Sequence, residues 1–370
     1  MTELEILDDP DDLNRLLEEI PDSPAVFLLF PHTGKPHLAR TNVLRRRLRR
    51  ALSGMKGTGM KGILARVAFQ LTGSRLEAQF LVWGLARQYL GAGYRDEIRL
   101  RMPPWIKLVL TNPFPRTVVT RHLAAAPAVY FGPFRNRSTA ARFESEFLDL
   151  FQLRRCQEDL APAPEHPGCI YGEMGRCLRP CQQVVGIAEY KGEVERVAEF
   201  LRTGGRSLAI PAESARDRLS AEMDFEGAAM MHQRCQRIGE VLGLRDEMAA
   251  ELSRLNAIVV APSVGKSAVE LGWLRGGYWR GFSRIEFALE IGKEGGKPFS
   301  LDARLRELVS AVTGEPSANP TERMEQLAIL ARWRYSSWCD GEMLMVDDWS
   351  KIPYRRLVNA VARIAHAGSG

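Results

Sequence analysis

The chain has 370 residues, a formal net charge of +6 and a pI of about 9.1. That length supports roughly two to four domains with real cores, so neither disulfides nor a metal are needed for size alone. The opening residues are acidic where a secretion signal would be basic and then apolar, and no apolar run reaches bilayer length, so the expectation is a cytoplasmic protein with no membrane partner.

The first segment, MTELEILDDPDDLNRLLEEI, reads as an acidic helix. AVFLLF (25–30) reads as a strand, PHTGK as a turn and HLAR (37–40) as the second strand of a hairpin. A helix follows, with Leu44, Leu48, Ala51 and Leu52 on one stripe and Arg45, Arg46, Arg49 and Arg50 pointing away from it. Arg47 borders the stripe. Between Arg40 and Leu76 the chain carries Arg40, Arg45, Arg46, Arg47, Arg49, Arg50, Lys56, Lys61, Arg66 and Arg75 and not one acid. A solvated helix face accounts for a single arginine run, but ten uncompensated cations point to a phosphate backbone, and DNA is the expected partner. Arg40, Arg45, Arg46, Arg49, Arg50, Lys56 and Lys61 are the candidate contacts. A helix from about Arg75 to Leu90 closes a small α/β unit near residue 95.

Two short strand-like runs lie in PPWIKLVLTNPFPRTVVTRHL, and YFGPFRNRS turns into the helix TAARFESEFLDLF. The loop CQEDLAPAPEHPGCIYGEMGRCLRPC then places Cys156, Cys169, Cys177 and Cys181 in one Pro- and Gly-broken stretch, while Cys235 and Cys339 stand apart and read as core residues. In a reducing compartment four gathered thiols are metal ligands more often than disulfides. The spacing C-x12-C-x7-C-x3-C lacks paired zinc knuckles and suits a larger centre ringed by loops, yet by itself it leaves zinc and iron-sulfur both open. The pattern is helical from Ala188 to about Leu255, then alternates in AIVVAP and AVELGWLRGGYWRGFSRIEFAL around a Gly-Gly turn, and ends in helices flanking the strand EMLMV. Gly265, Lys266 and Ser267 imitate the end of a P-loop, but Val260 stands where its first glycine belongs.

The run from Tyr130 to Cys181 resembles the UvrC family, the incision subunit of bacterial nucleotide excision repair, in which YFGP leads through a helix to FPLRxC and then RPCLxYQIGRCxxPC. The shared residues are Phe131, Gly132, Pro133, Leu153, Arg154, Cys156, Cys169, Tyr171, Gly175, Arg176, Cys177, Pro180 and Cys181. The resemblance implies a 4Fe-4S cluster on the four cysteines in preference to zinc. It extends to the amino-terminal unit, which is similar to the family's GIY-YIG nuclease. Its catalytic positions fall on Phe27 and His37 where the family has tyrosines, on Arg47 where the arginine is kept, and on Val82 where the family has glutamate. Phe27 offers no hydroxyl and Val82 no metal ligand, so metal-dependent cleavage is not expected. A divalent Mg or Mn belongs to the site only under the alternative reading, an active UvrC- or Cho-type endonuclease using His37 and Arg47. ESARDRLSAEMDFEGAAMMHQRCQRI (213–238) resembles the UVR motif that pairs with a UvrB-like protein. Asp224 starts its second helix, Ala228, Met231, Cys235 and Ile238 form the apolar face, and Phe225, Glu226, Ala228 and Ala229 are the candidate partner contacts.

The expected fold is therefore α+β and multidomain. Residues 1–95 form a degenerate GIY-YIG-like domain, 96–185 linking strands and the Cys-rich region, 186–254 a helical region with the UVR motif, and 255–370 an α+β region. Nothing in the chain resembles the family's RNase H-like nuclease or helix-hairpin-helix tail.

Overall fold

The computed structural model describes residues 1–5, 17–53, 64–124, 127–265, 268–287, 300–312 and 319–367. Within them the chain is mixed α+β, built on three four-stranded antiparallel sheets.

The first sheet takes β1 (Thr2–Glu5), β2 (Ala25–Pro31), β3 (His37–Thr41) and β4 (Leu64–Leu71) in the order β1-β4-β2-β3. Its central strand is apolar on both faces because both are covered, which is why AVFLLF shows no alternation. Helix α1 (Leu44–Ser53) lays Leu44 and Leu48 against Phe27, Leu29, Val67 and Phe69. Helix α2 (Arg75–Tyr89) lays Ala78 and Leu85 against Val26, Leu28 and Ala68 on the opposite face. Ser74 caps α2, its side chain accepting from the Glu77 N–H. The opening residues differ from expectation. Residues 2–5 are an edge strand opposite β4, with Thr2 facing Phe69 and Leu4 packed on the first core; of the expected helix, residues 6–16 lie outside the described residues and 17–19 are helical. Strand β4 itself has no counterpart in the sequence reading.

After the short helix α3 (Tyr94–Ile98), the second sheet is formed by β5 (Trp105–Val109), β6 (Thr117–Thr120), β7 (Ala128–Gly132) and β8 (Ala250–Glu251) in the order β6-β5-β7-β8. Helix α4 (Arg137–Leu148) packs on it, started by a capping box in which Asn136 and Thr139 each satisfy the other's backbone. Phe131, Phe134, Phe143, Phe147, Phe151 and Phe200 form a buried aromatic column, with Phe131 and Phe143 stacked at 5.4 Å. Phe200 is supplied by helix α6 (Ile187–Thr203), and the cysteine loop with its single helical turn α5 (Ile170–Glu173) runs between α4 and α6. Helices α7 (Arg206–Ala221) and α8 (Phe225–Gly243) form a hairpin before the chain returns to add β8.

The third sheet has β9 (Ala257–Pro262), β10 (Ala268–Arg275), β11 (Tyr278–Glu286) and β12 (Glu342–Met345) in the order β11-β10-β9-β12, with Gly276 and Gly277 making the expected turn. Helices α9 (Leu301–Ala311) and α11 (Tyr354–Ala367) cover one face through Leu305, Val309, Leu357 and Val361. Helix α10 (Pro320–Arg334) covers the other through Leu327, Leu330 and Trp333.

That second core is not private to the third sheet. Leu76, Phe80 and Trp83 of α2 enter it, and Phe80 stacks on Trp279 at 4.5 Å. Glu325 of α10 is fully buried and its carboxylate accepts from Trp83 Nε1 (2.9 Å), Tyr94 O–H (2.8 Å) and Arg95 Nε (2.8 Å). A buried carboxylate needs this many partners to offset its desolvation. At Gly73 a Cβ would fall 2.0 Å from the Ser263 carbonyl carbon, so the first unit approaches the third sheet more closely than any side chain permits.

Candidate functional site

The cysteine loop is fixed by groups that lie outside it in sequence. Arg154, only 2% exposed, donates from Nε to the Phe114 carbonyl (2.8 Å) and from Nη1 to the Glu158 carbonyl (2.9 Å) and to Cys156 Sγ (3.4 Å). Its backbone N–H donates to the Tyr190 hydroxyl (3.1 Å), which in turn donates to the Pro115 carbonyl (2.8 Å). Burial, foremost, holds the Tyr190 phenol well above its ordinary range. Asp149 accepts from Arg155 (2.5 Å) and Arg176 (2.9 Å), tying both ends of the loop to the end of α4. Gly172 allows Arg179 to cross α5, since a Cβ there would meet the Arg179 Cγ at 2.8 Å.

All four thiols are free of disulfides; Cys177 and Cys181 are buried, Cys156 and Cys169 half-buried. The Cys177 thiol is pushed up to about 11, chiefly by burial, with the Cys169, Cys156 and Cys181 charges adding to it against the Arg179 backbone N–H, which donates to Cys177 Sγ (3.4 Å). Cys181 is raised by burial and by Cys156 and Cys169. Each thiol therefore lies within electrostatic reach of the others, and two already accept N–H groups as metal-bound sulfurs do. Among the described residues no set of three or more His, Cys, Asp or Glu is closed tightly enough to hold a metal ion. Cys235 and Cys339 lie apart, half-buried.

Of the four family catalytic positions, His37 and Val82 line one cavity, while Phe27 and Arg47 lie on the α1 side of the sheet. Phe27 is 1% exposed on the α1 face, directly opposite Ala39. Val82 is half-buried on α2, across the sheet, beside Val26 and Leu28. His37 begins the edge strand β3, exposed and opposite Leu29. Arg47 does not border the buried stripe as its spacing predicts; it is exposed on α1, because Leu44 and Leu48 alone fill the contact with β2 and β4. Glu77 does not replace the missing glutamate. Its Oε2 accepts from the Gly73 N–H (2.7 Å), and burial, opposed by that bond and reinforced by Glu270, raises its pKa to about 7.

The cationic residues divide between two faces. Arg46, Arg49 and Arg50 are exposed on α1, and Arg45 is half-buried with Nε donating to the Ile20 carbonyl (2.6 Å). Lys56 and Lys61 lie outside the described residues. Arg40, paired opposite Val26, belongs to the α2 side of the sheet instead. There it lines a cavity of about 510 Å³ with Lys35, His37, Val82 and Trp83, closed from the third unit by Ile329 and Arg332 of α10. A second cavity of about 520 Å³ also reaches Arg40 and continues to Arg75, Trp338 and Asp340. Arg332 carries no sequence signal; only packing of α10 on α2 brings it near Arg40.

In the hairpin, Asp224 caps α8 as expected, accepting from the Gly227 N–H (3.0 Å). The stripe Ala228, Met231, Cys235 and Ile238 is not an outward surface. These residues are half-buried or buried, because an apolar stripe at this spacing is consumed by the neighbouring helix of the hairpin. The apolar groups left outside are Met223, Phe225 and Met230, 65–76% exposed, with Glu226 and Ala229 beside them.

Residues 103–200, which hold β5, β6 and β7 of the second sheet, α4, the cysteine loop and most of α6, match the family described as UvrC/Cho excinuclease, middle domain. The UvrABC system protein C of Moorella thermoacetica is 27% identical over 332 residues, covering 87% of this chain and 53% of the relative. That of Acetivibrio thermocellus is 24% identical over 342 residues (87% and 52%), and that of Clostridium perfringens 25% over 247 residues (64% and 39%). The chain thus spans about half the length, or less, of the curated relatives it matches. No solved structure matches it.

Proposed function

We propose, from the premise that this chain is a partial member of the UvrC family, that it serves nucleotide excision repair as a DNA-binding and UvrB-docking protein that does not cut. The observation that carries the reading is a contrast: the cysteine loop keeps its full donor set with N–H groups aimed at sulfur, while the nuclease positions are apolar or apart. Cys156, Cys169, Cys177 and Cys181 would hold a 4Fe-4S cluster, which supplies a one-electron couple and a rigid cross-link to the loop. Arg154 and the Arg179 backbone N–H donate to the Cys156 and Cys177 sulfurs, and Tyr190 holds Arg154 in place through its backbone N–H. Phe27 lacks a hydroxyl and Val82 a metal-binding oxygen, which supports the absence of a Mg- or Mn-dependent step. Arg46, Arg49 and Arg50 present the cationic face for duplex DNA, with binding that weakens steeply as salt rises. Phe225, Met223 and Met230 at the hairpin tip are the apolar anchors for the partner. No helix of the described residues is long and apolar enough to cross a membrane, in keeping with action in the cytoplasm.

Iron and labile sulfide content with a visible spectrum, on protein purified anaerobically, tests the cluster. Four irons and four sulfides per chain are expected on the order of the Fe-S family's cuboidal centre, and zinc or no metal would sink the assignment. A salt-dependent mobility shift without nicking in Mg or Mn is expected for the DNA reading. Nicking that Arg47→Ala abolishes would establish the endonuclease instead.

A further inference from the structure

The guanidinium of Arg154 is buried in the middle unit without a counter-charge. It is 2% exposed, and the acceptors of its Nε and Nη1 are the backbone carbonyls of Phe114 and Glu158 and the sulfur of Cys156. None of these is a carboxylate. The Glu158 side chain is exposed, Asp149 is shared by Arg155 and Arg176, and Glu193 is taken by Arg196 (2.7 Å). Those three arginines each have an acid, whereas among the described residues Arg154 forms no ion pair. A buried cation that meets only neutral dipoles is left with much of its desolvation cost. Of its acceptors, only the Cys156 sulfur can take on a negative charge.

The guanidinium is held against that sulfur from several sides. The Arg154 backbone N–H donates to the Tyr190 hydroxyl (3.1 Å), which is itself tied to the Pro115 carbonyl (2.8 Å). Leu153, next to it in the chain, is fully buried among the aromatic residues of the middle core. With the Phe114 and Glu158 carbonyls taking Nε and Nη1, the planar fork has its direction set, and Nη1 stands 3.4 Å from Cys156 Sγ. A lysine ammonium has the charge but no such fork. A neutral thiol leaves the arginine uncompensated and a thiolate compensates it, and the thiolate is the form that binds metal. Cys177 and Cys181, buried in the same loop, extend the anionic centre when metal-bound.

Given the reading of the cysteine loop as a metal centre, on which this rests, we propose that Arg154 is the built-in counter-cation of the thiolates of Cys156, Cys169, Cys177 and Cys181. It is a positioning residue whose charge favours metal retention and, with iron-sulfur bound, favours the reduced state. An iron-sulfur centre on four thiolates is an anion, and reduction adds one electron to it. A fixed cation beside a ligand sulfur therefore stabilises the reduced form more than the oxidised form and raises the potential. Burial keeps this effect largely beyond the reach of salt.

The test compares the full chain, purified without oxygen, with Arg154→Gln, Arg154→Lys and Arg202→Gln, the last removing an equal charge from the surface of α6. Metal retention in competition with EDTA, and the reduction midpoint from a dithionite titration followed by electron paramagnetic resonance, are read at low and high salt. Arg154→Gln is expected to hold metal about tenfold or more weakly. Its midpoint should fall by about 59 mV or more, the equivalent of a tenfold bias for one electron, and both changes should persist in high salt. Arg154→Lys should recover at least about half of each change, and Arg202→Gln should show none. If Arg154→Gln loads no cluster, Arg154→Lys decides: loading upholds the counter-charge, and equal loss overturns it, because the shape of the fork and not its charge then matters. Unchanged retention and midpoint in Arg154→Gln overturn it as well. Zinc in the unaltered chain would end the iron-sulfur reading alone, with the EDTA competition still ranking the variants; an unaltered chain that holds no metal overturns both.

Discussion

The first unit and the middle unit treat the positions singled out in their sequences in opposite ways. In the middle unit Arg154 is almost fully buried, its Nε and Nη1 donating to two carbonyls and a cysteine sulfur, so it ties the loop around the thiols to the segment before β6 and to its own flanks. In the first unit Phe27 is an ordinary core residue and Val82 lines a cavity on the other face of the sheet. A buried polar network is costly to dismantle one member at a time, because each loss strands its partners. Phe27 and Val82 belong to no such network. Helix α2 serves two cores at once, that of the first sheet and that of the third.

The strongest way to break that comparison is at the joint. Glu325→Ala strands Trp83 Nε1 and Tyr94 O–H in the shared core, and a loss of about 3–5 kcal/mol is expected by denaturant unfolding. If the two units unfolded separately with little change in the first, α2 would not be the shared wall described here. Phe27→Tyr adds a hydroxyl inside the first sheet's core, where Phe27 is 1% exposed; about 1–3 kcal/mol of destabilisation and no nicking in Mg are expected. In the middle unit, Asn136→Ala removes one half of the capping box of α4 at a cost of about 1 kcal/mol, with iron content retained. The smallest effect concerns pH. Glu77 has a folded pKa near 7 against an ordinary 4.5, so the folded chain binds the extra proton between those values and stability falls as pH rises through that window. Glu77→Gln keeps an acceptor for the Gly73 N–H and should flatten that slope. An unchanged slope would place the titration elsewhere, Glu270 being the neighbour whose carboxyl burial also raises.

Much of this was legible in the sequence because it is written in local signals. The apolar run of β2, the Asp224 cap and the Gly276-Gly277 turn each specify their element within a few residues. The cysteine spacing gave the loop and the residues that line it. What could not be read was set by pairing at a distance. The TELE strand looks helical until β4 stands beside it, and the hairpin stripe looks like a docking face until α7 covers it. Arg332 belongs to a helix whose own pattern shows only core and solvent, and its meeting with Arg40 exists only in three dimensions.

Strand β8 closes the second sheet from the far side of α7 and α8, with Glu251 opposite Phe131 and Ala250 opposite Gly132. On a growing chain β5, β6, β7 and the cysteine loop all emerge before the strand that covers the β7 edge. Until then that edge offers unpaired N–H and C=O groups, a surface on which another strand can pair wrongly. The ordering therefore sets a kinetic demand: the helices between must fold quickly and locally so that the late strand arrives before a stranger does. A fragment cut at the end of α6 would carry the whole cysteine loop and still lack its closing strand, and its failure would be one of assembly order, not of ligand chemistry.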